Sequence, residues 1–147
     1  MSNRIIQKSI TLNASPQKVW QVLMESPYID EWYAEFGEDL KVETDWSTGS
    51  KYRVVDSNGL GMVGKIAENV PGKTLSIESE GMVKDNKDDF ESPEAKMLKG
   101  NRETYWLSET AGGTKLDIES ACFEEYADLM ADMWDKALIK IKQLAEK

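Results

Sequence analysis

The chain has 147 residues, of which 27 are acidic and 18 basic, and its formal net charge at pH 7 is −9. This length suits one domain, residues 1–147, with a hydrophobic core of its own. Because the sequence has no basic stripe to neutralise phosphates, the composition excludes nucleic acid as a partner and disfavours anionic membrane surfaces.

The rare residue types exclude further classes of function. The chain has no histidine and one cysteine, Cys122. The commonest general base and the usual zinc ligands are therefore scarce, so we predict no metal site. A lone cysteine makes no intrachain disulfide, and Cys122 is expected to be a small buried side chain. No apolar run approaches membrane-spanning length and the first residues lack a signal-peptide pattern, so we predict a cytoplasmic protein without membrane contact.

The first residues predict a strand and then a helix. Residues 4–13 alternate between apolar and polar side chains, as a half-buried strand does. Ser15 suits a helix N-cap, and Pro16 suits the first helical position. The helix that follows places Trp20 on the same face as Leu23, which predicts that Trp20 is buried in the core.

A second short helix and a series of hairpins come next. The helix is predicted over 28–35 and carries inward Ile29, Trp32, Tyr33 and Phe36. Short strands separated by tight turns follow, which indicates an antiparallel sheet. The predicted strands cover residues 40–43, 51–56, 60–70, 74–80, 103–109 and 114–121.

Segment 84–101 interrupts the hairpin pattern. It begins with charged residues and contains Pro93, so we predict a mobile loop with one turn of helix at 93–98. Its carboxylates lack the spacing of a calcium loop and are expected to face water. The chain then ends in a long amphipathic helix, predicted over 124–146. Its apolar face comprises Tyr126, Leu129, Met130, Met133, Trp134, Ala137, Leu138, Ile141 and Leu144.

These elements together predict an α+β fold of the helix-grip kind. An antiparallel sheet curves around the long C-terminal helix, and two short helices follow the first strand. The apolar face of the long helix must be buried against the concave side of the sheet. Gly59, Gly61 and Gly64 match the spacing of a dinucleotide-binding loop, and residues 62–70 have a passable helical spacing, but Pro71-Gly72 then turns directly into a strand and no βαβ repeat surrounds them. A glycine-rich hairpin is favoured, so we predict no cofactor.

Six motifs stand out by their order and spacing: Asn13–Leu23, Trp32-Tyr33, Asp45–Tyr52, Gly64–Pro71, Thr104–Leu107 and Gly112–Leu116. Together they resemble the START-like (SRPBCC) superfamily, in the branch named after the activator of heat-shock protein 90 ATPase. The resemblance spans the chain apart from 83–101. It implies the helix-grip fold. It also implies one of three functions found among members of the superfamily: some are co-chaperone domains, some bind hydrophobic small molecules, and some catalyse cyclisation or dehydration.

Large aromatic and methionine side chains on the predicted elements are the candidate binding residues. Flexible methionines and amphipathic rings suit an adaptable apolar pocket between helix and sheet, although plain core packing is the alternative. The candidate ligand-binding residues are Trp32, Tyr33, Tyr52, Glu103, Tyr105, Met130, Met133 and Trp134. We expect the ligand to enter between the long helix and the loops at 33–37 and 81–101.

Glu103 is the one charged residue in this set. It shares strand parity with Tyr105 and Leu107, which points it inward. A buried carboxylate needs a partner or a raised pKa, although a position near the strand end also lets it reach water. Trp106 has the opposite parity and is expected on the outer face, where it can mark a contact surface.

Three functions remain open from the sequence. The first is binding of a hydrophobic or amphipathic small molecule. The second is an interaction domain of the co-chaperone kind, with a protein partner. The third is an enzyme of the cyclase or dehydratase kind that uses Glu103 with tyrosines. Binding is favoured over catalysis, no catalytic residue is assigned, and the sequence does not predict the oligomeric state.

Overall fold

Eight antiparallel strands form one sheet in the computed structural model, which describes residues 3–37 and 39–147. The strands are β1 (Asn3–Leu12), β2 (Lys41–Glu43), β3 (Lys51–Val55), β4 (Gly61–Val70), β5 (Thr74–Lys84), β6 (Lys87–Asp89), β7 (Arg102–Thr110) and β8 (Gly113–Phe123). The helices are α1 (Pro16–Met24), α2 (Tyr28–Tyr33), α3 (Pro93–Leu98) and α4 (Ala127–Ala145). This confirms the predicted α+β helix-grip fold.

Strand order brings distant parts of the chain together. The strands lie in the order β1-β8-β7-β5-β4-β3-β2, and β6 pairs with the end of β5. β1 pairs with β8 along its whole length, from Asn3 opposite Phe123 to Leu12 opposite Thr114. The concave face carries alternate side chains of each strand, and the helices cover it. The first strand therefore forms one edge of the sheet, beside the strand that precedes α4.

The connection from β1 into α1 follows the predicted cap. The Ser15 side chain accepts a hydrogen bond from the Lys18 backbone N–H at 3.2 Å, and Pro16 opens the helix. The buried face comprises Val19, Val22 and Leu23. The prediction that Trp20 is buried is wrong: Trp20 is half-buried and packs against the edge of the core. Its position lies one residue, about 100°, from the helix face that Val19 and Leu23 share.

Helix α4 buries a narrower face than the sequence predicts. The buried residues of this face are Trp134, Ala137, Leu138, Ile141 and Leu144. A 3-10 turn at 124–126 precedes the helix, and Tyr126 within it is exposed. Leu129 is exposed as well, because it lies to the side of the buried face. Among the described helices, none combines the length and apolarity that a membrane span requires.

Part of the acidic segment is ordered rather than a mobile loop. β5 runs on to Lys84, and residues 87–89 return along it as β6. Asp88 accepts hydrogen bonds from Lys51 Nζ at 2.7 Å and Arg53 Nε at 3.0 Å. These two cations hold the pKa of Asp88 below its usual value. The prediction of a free loop is therefore wrong here, whereas the helical turn at 93–98 is present as α3.

The glycines of residues 59–64 belong to a hairpin, as predicted. Gly59 has a φ of +77°, a conformation that favours glycine, in the turn before β4. Gly64 lies within β4 beside a register shift, and a Cβ built there would collide with the backbone carbonyl of Glu78. Close backbone approach thus explains the glycine, and no strand–loop–helix unit surrounds it.

Candidate functional site

An interior cavity of about 210 Å³ lies between α2, the start of α4 and strands β3, β4 and β7. Its lining residues are Trp32, Tyr33, Phe36, Leu40, Tyr52, Val54, Gly61, Met62, Glu103 and Met130. An engineered apolar cavity of about 150 Å³ binds benzene. The cavity here is therefore large enough for one aromatic ring with a short substituent.

Five of the eight predicted binding residues line this cavity, namely Trp32, Tyr33, Tyr52, Glu103 and Met130. Tyr105 and Trp134 are buried but do not line it. Met133 is half-buried and also lies outside it, because its place on α4 is to the side of the face that Trp134 occupies. The lining residues that the sequence analysis did not select are Phe36, Leu40, Val54, Gly61 and Met62.

The mouth of the cavity differs in part from the prediction. Phe36, Leu40, Met62 and Met130 are only partly buried, whereas Trp32 is fully buried. The opening therefore lies among the partly buried side chains, between the end of α2, the β3–β4 hairpin and α4. The loop at 33–37 contributes Tyr33 and Phe36 to the lining, whereas no lining residue comes from segment 81–101.

Two tyrosine hydroxyls meet at the floor of the cavity. The Oη atoms of Tyr33, on α2, and Tyr52, on β3, are 2.6 Å apart, a short hydrogen bond in which either can donate. Tyr52 lies opposite Gly64 on β4, so no side chain stands across from its ring. The indole N–H of the neighbouring Trp32 donates to the carbonyl of Val22 at 2.9 Å, which ties α2 to α1.

Glu103 faces the cavity from β7, as its parity predicts. The Tyr105 hydroxyl donates to Glu103 Oε2 at 2.6 Å, and Ser120, opposite Glu103 on β8, donates to Oε1 at 3.4 Å. The residue retains accessible surface because it borders the cavity, while protein surrounds its carboxyl group. Burial raises the pKa of Glu103, and the two hydroxyl donors only partly offset that shift.

The electrostatics of the site keep its hydroxyl groups neutral. Burial raises the pKa of Tyr33, Tyr52 and Tyr105, and the nearby Glu103 carboxylate raises them further. These hydroxyls are therefore hydrogen-bond donors and acceptors across the working pH range. The raised pKa makes the Glu103 carboxyl a weaker acid than it is in water. The described residues contain no group of three or more acidic, cysteine or histidine side chains placed to hold a metal ion.

Packed rings form the wall behind the cavity. The Trp134 ring lies 4.9 Å from that of Phe36, 6.0 Å from Tyr105 and 6.2 Å from Trp32, measured between centroids. The contacts with Phe36 and Tyr105 are edge-on and the contact with Trp32 is tilted. Edge-on contacts at these separations are favourable. Trp134 thus supports two lining rings without reaching the cavity. Its indole N–H finds no acceptor among the described residues.

The family model for "Activator of Hsp90 ATPase homolog 1-like protein" matches residues 13–146. The chain belongs to this family. The match covers α1, α2, the cavity residues and α4, and it confirms the START-like resemblance noted from the sequence motifs. Among curated proteins, no sequence matches this member of the family.

Solved structures share the fold of this family member. The solution structure of the Aha1 dimer from Colwellia psychrerythraea has a TM-score of 0.74 at 19% identity, covering 99% of this chain and 97% of that chain. Protein MLL2253 from Mesorhizobium loti has a TM-score of 0.74 at 20% identity, covering 96% of each chain. DynU16, from the dynemicin biosynthetic locus, has a TM-score of 0.68 at 12% identity, covering 95% of this chain and 46% of that chain.

Proposed function

We propose that this START-like protein binds a small amphipathic molecule in the cavity between α2, α4 and the sheet. The observation that carries the proposal is the pairing of apolar walls with polar groups in one cavity. Rings and aliphatic side chains supply most of the lining, while the tyrosine pair and Glu103 supply the polar contacts. Such a combination is typical of small-molecule sites.

The size of the cavity limits the ligand. At roughly 30 Å³ per water molecule, about seven waters would occupy the same volume. Sterols and long acyl chains exceed this space, so we expect a single ring or a short branched chain. The Tyr33–Tyr52 pair uses one of its two hydroxyl protons in the bond between them, which leaves one donor for the ligand.

The cavity favours binding over the other two functions. An interaction domain of the co-chaperone kind works through its surface and has no need of an interior space. The partly exposed Trp106 lies on the outer face of the sheet, beside depressions bordered by polar side chains such as Gln7, Asp117 and Glu119. A cyclase that folds a substrate of several rings would need more room than about 210 Å³.

A matched pair of methionine variants tests the proposal. Met130→Trp places a larger side chain at the opening of the cavity and narrows it, whereas Met133→Trp places the same side chain on the same helix outside it. Small phenols and monocyclic aromatics are titrated into the wild type and both variants, with a sterol as a size control. Melting temperature and tryptophan emission report binding, because only the folded state holds the cavity and Trp32 lines it.

We expect at least one monocyclic probe to raise the melting temperature of the wild type and of Met133→Trp, but not that of Met130→Trp. The sterol should have no effect on any of the three proteins. If a probe raises the melting temperature of both variants equally, it binds outside the cavity. No response of the wild type to any monocyclic probe would overturn the proposal.

A further inference from the structure

Glu103 is the only charged residue among the described side chains that line the cavity. It has two hydrogen-bond partners, the hydroxyls of Tyr105 and Ser120, and both are neutral. None of the ion pairs formed by the described residues includes it. A carboxylate in this setting has lost water without gaining a counter-charge, which is costly.

Glu103 is the acceptor in both of its hydrogen bonds. Each carboxyl oxygen already accepts a hydroxyl proton, and an ionised carboxylate has about four acceptor positions. Two positions are therefore unused on a group that borders the cavity. A ligand that brings N–H donors can occupy them. A ligand that brings only acceptors would meet Glu103 without a hydrogen bond between them.

The walls of the cavity also suit a positive charge. Trp32, Tyr33, Phe36 and Tyr52 all line the cavity and can present ring faces or hydroxyl oxygens to a cation. The net charge of −9 favours the approach of cations over anions. The negative charge of the chain and that of Glu103 both disfavour a carboxylate or phosphate ligand, which would meet a like charge in the cavity.

We propose that the ligand of this cavity is a small hydrophobic amine, bound as its ammonium ion, with Glu103 as the counter-ion and the aromatic rings around its apolar part. This inference rests on the proposed function, since it names the chemical class of the molecule in the same cavity. The ammonium group replaces the missing counter-charge, and the ring or short chain of the amine fills the apolar space.

Three probes of matched size and different charge test the inference. They are 2-phenylethylamine, which is cationic at neutral pH, 2-phenylethanol, which is neutral, and phenylacetate, which is anionic. Isothermal titration calorimetry measures the affinity of each for the wild type, Glu103→Gln and Met130→Trp. Glutamine keeps the shape and the hydrogen bond to Tyr105 but removes the charge. Far-ultraviolet circular dichroism checks that each variant folds.

We expect the amine to bind the wild type roughly tenfold or more tightly than the alcohol, as a charge-assisted hydrogen bond implies. Glu103→Gln should weaken binding of the amine by more than that of the alcohol and so remove this preference, while Met130→Trp should weaken both. Phenylacetate should bind most weakly to the wild type.

The possible failures are distinguishable. If the alcohol binds the wild type as tightly as the amine, or if Glu103→Gln binds the amine as tightly as the wild type does, the amine inference is wrong and the cavity proposal stands. If none of the three probes binds the wild type, both fail. Should Glu103→Gln not fold, the order of the three affinities in the wild type decides the question by itself.

Discussion

The hydroxyl oxygens of Tyr33 and Tyr52 lie 2.6 Å apart in the core, although the residues are 19 positions apart in the chain. This bond joins α2 to β3 at the floor of the cavity. It also places side by side the two hydroxyl groups found among the described lining residues. The pair therefore contributes to the stability of the fold and to the polarity of the site at the same time.

Removing either hydroxyl of this pair should destabilise the protein. Tyr33→Phe and Tyr52→Phe should each lower the free energy of unfolding by about 1–2 kcal/mol, because each leaves the other buried hydroxyl without its partner. The double variant should lose little more than either single variant, since its second substitution removes a group that is already unpaired. Urea denaturation of the four proteins gives the coupling energy.

Tyr126→Phe is the control for this cycle, because Tyr126 is exposed. Its free energy of unfolding should change by less than about 0.5 kcal/mol. If the losses in Tyr33→Phe and Tyr52→Phe add up in the double variant, the two hydroxyls do not interact in solution.

Two tryptophans that the sequence treats alike should differ in their contribution to stability. Trp32 is 1% exposed and its indole N–H is hydrogen-bonded to Val22, whereas Trp20 is half-buried at the edge of the core. Trp32→Ala should lower the free energy of unfolding by about 3–5 kcal/mol, the usual loss for an emptied aromatic site. Trp20→Ala should lower it by about 1–2 kcal/mol. Equal losses in denaturant unfolding would contradict the burial of the two side chains.

Most of the fold was predictable because helix caps, hairpin turns and strand alternation depend on residues that are close together in the sequence. Ser15 and Pro16 mark the start of α1, and hairpin turns separate the strands. Residues 87–89 were missed because a three-residue strand of charged side chains has no apolar alternation. The segment is held by its antiparallel pairing with the end of β5 and by the contact between Asp88 and two cations more than thirty residues earlier. That contact across the sheet has no signature in the segment itself.

The candidate site was predictable where strand parity or helix spacing decides the direction of a side chain. Parity pointed Glu103 inward, where it lines the cavity, and the same rule applied from Tyr52 would have added Val54. Neither parity nor helix spacing predicts the other two. Gly61 lines the cavity because it has no side chain, and Leu40 follows an irregular connection. Met133 was selected for its chemistry, but the angular position of a residue on α4 decides whether it reaches the cavity.

The last prediction concerns the pH dependence of stability that Glu103 confers. Burial raises the pKa of this carboxyl in the folded protein, while in the unfolded chain it returns to its ordinary value near 4.3. The folded state therefore holds the proton more tightly than the unfolded state does. The stability that follows from this difference is fully present below the unfolded pKa and is lost as pH rises through the folded pKa.

Glu103→Gln should remove this loss, because glutamine does not titrate. The free energy of unfolding of the variant, relative to that of wild type, should rise as pH increases from about 4 and level off above the folded pKa, by about 1.4 kcal/mol for each unit between the two pKa values. Urea denaturation between pH 4 and 8 measures this difference. Glu109→Gln, an exposed residue on the same strand, controls for the loss of one negative charge. A difference that shrinks as pH rises would mean that the folded protein stabilises the charged form of Glu103.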